Sequence, residues 1–149
     1  MRKHSALRSV YNWDKKNKNL QIVLIEHEPE FACIVLPDQQ SGTGSLEEYL
    51  QMDRSKRFDL RRPPYRLAIV KDENHREYFI ITNHHILFDG WSSSLLMKDF
   101  ISTYSRLYRR EVVEPPTKHD IYKHFVQFCL HSDDQNASAF WSRHLAGYD

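Results

Sequence analysis

The chain has 149 residues, of which 40% are hydrophobic, 13% aromatic and 28% charged. That is the balance of one globular domain or one lobe of a larger one, not of a disordered segment. The formal net charge of +1 offers no field for nucleic acid or an anionic membrane, and no run of residues reaches membrane-spanning length.

The elements follow from patterning. Leu7 to Trp13 alternates as a strand, Asp14 to Asn19 is a polar turn, and Leu20 to Ile25 is strongly β-forming, which together predict a hairpin. Phe31 to Leu36 is a third short apolar run, closed by Pro37. Gln39 to Gly44 reads as flexible. Ser45-Leu46-Glu47-Glu48 is a capping box that opens a helix to about Arg57. Pro63-Pro64 forbids helix and starts an extended stretch. Tyr65 to Lys71 and Tyr78 to Asn83 are apolar on nearly every residue, as in strands buried on both faces, and the polar turn Asp72 to Glu77 makes them an antiparallel hairpin. Ser92 to Tyr108 is a helix with Leu95, Leu96, Phe100, Tyr104 and Leu107 along one side. Pro115-Pro116 breaks the chain, and His119 to His131 and Asn136 to Leu145 are two further helices. No repeat and no clear domain boundary is visible. The fold class is α/β (α+β), a sandwich in which helices pack on a mixed sheet.

Two cysteines, Cys33 and Cys129, lie far apart without metal-type spacing. They suit a reducing compartment, and no N-terminal stretch resembles a signal peptide, so the expected location is cytoplasmic.

The chemistry concentrates in Asn83-His84-His85-Ile86-Leu87-Phe88-Asp89-Gly90-Trp91-Ser92. These residues leave a buried strand at the rim of the sheet, where active sites of open α/β sheets lie. A histidine there titrates near neutral pH and can take a proton from an amine or hydroxyl. A histidine in a strand-exit loop is also commonly just a hydrogen-bonded structural residue. Gly90 would permit a tight backbone path. A metal site lacks a third ligand beyond His85 and Asp89, and no Gly-x-Ser-x-Gly elbow supports a serine nucleophile. Gly42-Thr43-Gly44-Ser45 lacks the lysine and spacing of a phosphate loop.

The stretch from His84 to Gly90 resembles the His-His-x-x-x-Asp-Gly signature of the condensation domains of non-ribosomal peptide synthetases, a chloramphenicol-acetyltransferase-like superfamily. Trp91-Ser92 continues it as in domains that form peptide bonds. Lys3-His4-Ser5-Ala6-Leu7-Arg8-Ser9-Val10-Tyr11 resembles the family's Arg-His-Glu-x-Leu-Arg-Thr-x-Phe segment, with Lys for Arg, Ser for Glu, Ser for Thr and Tyr for Phe. Phe58-Asp59-Leu60 followed by Pro63-Pro64-Tyr65-Arg66 resembles its Phe-Asp-Leu…Pro-Leu-x-Arg segment. Phe140-Trp141 and Leu145-Ala146-Gly147 look like the end of the family's first lobe.

The resemblance implies a partial condensation domain: the N-terminal lobe over residues 1–149, without its first strand and helix, and without the C-terminal lobe that forms the other wall of the active-site tunnel. It makes His85 the catalytic residue, acting on an acceptor amine that attacks a donor thioester, as base or as positioner. His84 becomes a supporting residue. Asp89 is implied to pair with Arg8 and so pin the loop to the first strand, with Trp91 packed under the loop. Arg66 and Asp59 read as structural. No cofactor is implied for this lobe itself, because the substrates ride on the phosphopantetheine arms of carrier proteins. The implied partners are peptidyl and acyl carrier proteins, the second lobe and adenylation modules. Transfer to a hydroxyl or small amine, and a non-catalytic remnant, are the alternatives. The isolated chain is expected to be inactive.

Overall fold

Two short sheets and four helices organise the chain in a computed structural model, which describes residues 2–12, 20–37, 44–114, 121–131 and 134–148. The chain divides into two units, Met1–Pro116 and Thr117–Asp149. The division falls at Pro115-Pro116, where the sequence showed a break in the chain but no domain boundary.

In the first unit, strand β1 (Ser9–Asn12) pairs antiparallel with β2 (Leu20–Val23), Ser9 opposite Val23 and Asn12 opposite Leu20. This is the predicted hairpin, although Ser5–Arg8 forms a 3-10 turn where a strand was expected to begin at Leu7. Its connecting turn, and residues 39–43 of the stretch read as flexible, lie outside the described residues. The second sheet has the order β3-β4-β5, from β3 (Phe31–Val35), β4 (Tyr65–Lys71) and β5 (Glu77–Asn83). β3 runs parallel to β4, which is antiparallel to β5, so the sheet is mixed as predicted.

A parallel pair needs a crossover, and α1 (Leu46–Ser55) lies within it. Its start is the predicted capping box. Ser45 Oγ accepts the Glu48 amide at 3.2 Å, and the Glu48 carboxylate accepts the Ser45 amide at 3.0 Å. Gly44 takes a φ of +102°, and a side chain there would also run into the Pro37 ring. Asp72 closes the β4–β5 turn. Its carboxylate accepts the amides of Asn74 and Arg76, both at 2.9 Å, the Arg76 guanidinium at 2.7 Å and the Tyr78 hydroxyl at 3.1 Å.

Alternation along the strands gives the sheet two dressed faces. Ala68 and Val70 point to the α1 side and are buried with Leu36, against Ile34, Leu46, Tyr49, Tyr78 and Ile80. The other face carries Leu67, Phe79 and Ile81 towards α2 (Gly90–Tyr108), where Phe79 and Phe100 stack at 4.8 Å between ring centroids. This face is only partly covered. Ile69 and Phe79 remain 41% and 37% exposed while Leu67 is buried, so the prediction of strands buried on both faces holds only in part on the α2 side.

The second unit contains α3 (Ile121–His131) and α4 (Asp134–His144), close to the predicted helices. Their described side chains are exposed, including Phe125, Phe128 and Trp141. Among the described residues no helix is long and apolar enough to cross a membrane.

Candidate active site

β5 ends at Asn83, and the backbone turns at once. The His84 amide donates to the Pro64 carbonyl at 2.9 Å, one step beyond the pairing of Tyr65 with Asn83. The Leu87 amide then donates to the His84 carbonyl at 3.1 Å, which closes a tight turn around His85 and Ile86. The His84 ring is absorbed by the turn: its Nδ1 accepts the Ile86 amide at 3.1 Å, so in the neutral ring the proton sits on Nε2. Phe58 packs edge-on to the same ring at 6.2 Å. Leu87 is buried beneath the loop.

His85 is treated differently. Its side chain is exposed and makes no hydrogen bond or ion pair among the described residues. Its neighbour in charge is Asp89. The Asp89 carboxyl is held below the usual carboxylate range, first by the Ser92 amide, then by the Ser92 side chain, and also by the nearby His85. The loop therefore presents an unengaged imidazole beside an ionised carboxylate.

Asp89 is the N-cap of α2. Its Oδ1 accepts the Ser92 amide at 2.8 Å and its carbonyl accepts the Ser93 amide at 2.9 Å. That role starts the helix at Gly90, two residues before the predicted Ser92. It also corrects the pairing expected with Arg8. The Arg8 Nη1 donates instead to the carbonyls of Leu24 and, at 3.1 Å, Ile25, so that it ties the start of β1 to the residues after β2. Asp89 gives its side chain to the helix terminus, and Arg8 gives its own to the hairpin. Two further expectations change. Gly90 is an ordinary first helical residue with open space where a Cβ would stand, so no tight path requires it. Trp91 does not pack under the loop. It lies one residue into α2, 85% exposed.

The tie between the loop and β1 exists, but through a residue that the sequence did not single out as a site. The Tyr11 hydroxyl donates to the Ile86 carbonyl at 3.1 Å, and the Tyr11 amide donates to the Leu60 carbonyl at 2.7 Å. Its signal was available: a tyrosine within a buried strand needs a partner for its hydroxyl. Asp53 was also missed. It falls on the face of α1 shared by Leu46 and Tyr49, where a carboxylate must be paired. It takes the Arg66 Nε at 2.8 Å, and the same guanidinium lies 4.2 Å over the Phe58 ring. Arg66 is thus structural, as read from the sequence, while Asp59 pairs with exposed Arg61.

Behind the loop, Phe88 reaches an apolar cavity of about 280 Å³ between the sheet and α2, lined also by Leu7, Phe31 and Leu67. At its edge Lys3 and His4 meet Asp99 at 2.7 and 2.9 Å. Among the described residues no group of three or more His, Cys, Asp or Glu could hold a metal ion.

A mixed sheet between helices, delivering a histidine loop to a helix N-terminus, defines the class as an α/β fold. The family model for the condensation domain matches residues 1–149, and the chain belongs to that family. It is 30% identical to gramicidin S synthase 2 of Brevibacillus brevis over 99% of its own length and 3% of that protein's. The fold is that of the epimerization domain from the third module of tyrocidine synthetase B, with a TM-score of 0.74 and 22% identity over 98% of this chain and 34% of that one. It is also that of the starter condensation domain of rhizomide synthetase, with a TM-score of 0.70 and 19% identity over 97% of this chain and 36% of that one.

Proposed function

We propose that the chain is the N-terminal lobe of a condensation domain, without its first strand and helix, and that the complete domain forms amide bonds between carrier-bound aminoacyl or peptidyl thioesters. The observation that carries this reading is His85: an exposed, unengaged imidazole at the exit of β5, in a loop whose backbone is held on both sides. The donor thioester and acceptor amine arrive on the phosphopantetheine arms of two carrier proteins. The amine attacks the thioester carbonyl carbon, the C–N bond forms, and the C–S bond breaks. His85 takes the proton from the attacking nitrogen and passes it to the departing thiolate. Such transfer contributes roughly 10²–10⁴ in rate.

His84 supports the turn and carries no proton in this scheme. The second lobe supplies the wall facing His85, and adenylation modules load the carriers. The test is an acceptor competition with the complete domain and a donor-loaded carrier. A carrier-bound amine is offered against a free alcohol and a free small amine. Formation of the carrier-bound amide supports the reading. Transfer to the alcohol or the free amine alone would assign the loop to another acyltransferase reaction.

A further inference from the structure

The His85 ring has no hydrogen-bond partner among the described residues, so its direction is set by its own backbone. On the N-terminal side that backbone is held by the bond from the His84 amide to Pro64. On the C-terminal side it is held by the bond from the Tyr11 hydroxyl to the Ile86 carbonyl, across 75 residues of sequence. Tyr11 is itself fixed at both ends. Its ring is buried, and its amide is bonded to Leu60, two residues after the Phe58 that packs on His84.

We propose that Tyr11 is a positioning residue for His85. Its hydroxyl fixes the Ile86–Leu87 peptide, one residue beyond His85, and so aims the imidazole at the acceptor nitrogen. The inference rests on the reading of His85 as the reacting base. Alignment of the base with the proton is where a small backbone displacement becomes a loss of rate, because proton transfer needs hydrogen-bond reach.

The experiment compares wild type, Tyr11→Phe and His85→Ala in the complete condensation domain. Tyr11→Phe keeps the buried ring and removes the hydroxyl that donates to Ile86. It is expected to lower kcat about two- to tenfold, the size of one neutral hydrogen bond expressed as a rate. KM for both loaded carriers is expected to stay unchanged. The second readout is the NMR signal of the His85 ring, which should shift in Tyr11→Phe while those of His27 and His75 stay in place. A general loosening of the fold would move all three signals and raise KM, and would overturn the proposal. An unchanged kcat with an unchanged His85 signal would also overturn it. The His85→Ala arm separates the two readings: wild-type turnover there sinks the base role itself, whereas wild-type turnover in Tyr11→Phe alone sinks only the tether.

Discussion

Asp53 shows how a carboxylate can be buried in the first unit without being a site. Its side chain is 7% exposed and the Arg66 side chain 29%. Burial pushes the carboxyl up, but the hydrogen bonds from Arg66 and Thr82, with the charge of Arg66, outweigh it and leave the pKa below its ordinary 3.8. A carboxyl lowered in the folded state contributes stability that is complete above the unfolded value. Here it is kept at neutral pH and lost as the pH falls below 3.8 towards the folded value. Asp53→Asn should therefore cost about 3 kcal/mol at pH 7, the lower end for a broken buried pair because Arg66 keeps a wet edge. Urea melts at pH 7 and pH 3 should show the penalty shrinking at the lower pH. A penalty independent of pH would mean that the carboxylate charge contributes nothing. Arg8 and Asp89 lead to the opposite expectation. They serve different partners, so Arg8→Ala and Asp89→Ala should destabilise additively in a double-mutant cycle. A coupling between them would restore the ion pair that the sequence suggested.

At the scale of elements, α2 connects stability to the site. Its N-cap is Asp89, four residues after His85, so the residue that starts the helix also ends the loop. Asparagine caps a helix about as well as aspartate, whereas alanine does not. Asp89→Asn should therefore keep the thermal midpoint of the domain near wild type, while Asp89→Ala should lower it. Because Asp89 acts on the loop through the cap, Asp89→Ala should also slow condensation in step with its loss of stability, whereas Asp89→Asn should keep both. A folded Asp89→Asn domain that condenses slowly would give the carboxylate a part beyond the cap.

Much of this level was legible in the sequence. The capping box at Ser45 and the two apolar runs from Tyr65 and Tyr78 gave α1, β4 and β5 nearly to the residue, because local chemistry decides them. The start of α2 was not legible, since Asp89 is equally suited to an ion pair and to a cap, and only the distance to Ser92 chooses. Trp91 was misread for the same reason. Its place on the outer side of α2 follows from where the helix begins, which no local pattern states.

For the whole molecule, the consequence is an open candidate site. His85 is exposed on the first unit, without a hydrogen-bond partner among the described residues, and Trp91 and Leu95 of α2 are exposed as well. The second unit exposes Phe125, Phe128 and Trp141. Apolar surface of this extent favours association. The isolated 149 residues should self-associate in light scattering and should not turn over loaded carriers, because one wall neither aligns two thioester arms nor excludes water. A monodisperse monomer with multiple turnovers would show that a single lobe suffices. The motif segment from His84 to Gly90 marked the loop that leaves β5, because its residues are consecutive in the sequence. It could not show that Tyr11 holds the loop, because that contact joins residues 75 apart.

The central claim is that His85 moves the proton, and single-turnover condensation measures it most directly. Donor and acceptor carriers are mixed with the complete domain as wild type, His85→Ala or His84→Ala, each checked by its thermal melt. His85→Ala should melt like wild type and form amide at least about 100-fold more slowly, the lower bound for loss of a general base. His84→Ala should lose rate only in step with a lowered melt, because its ring supports the turn. Amide formed at the wild-type rate by a folded His85→Ala domain would contradict the account.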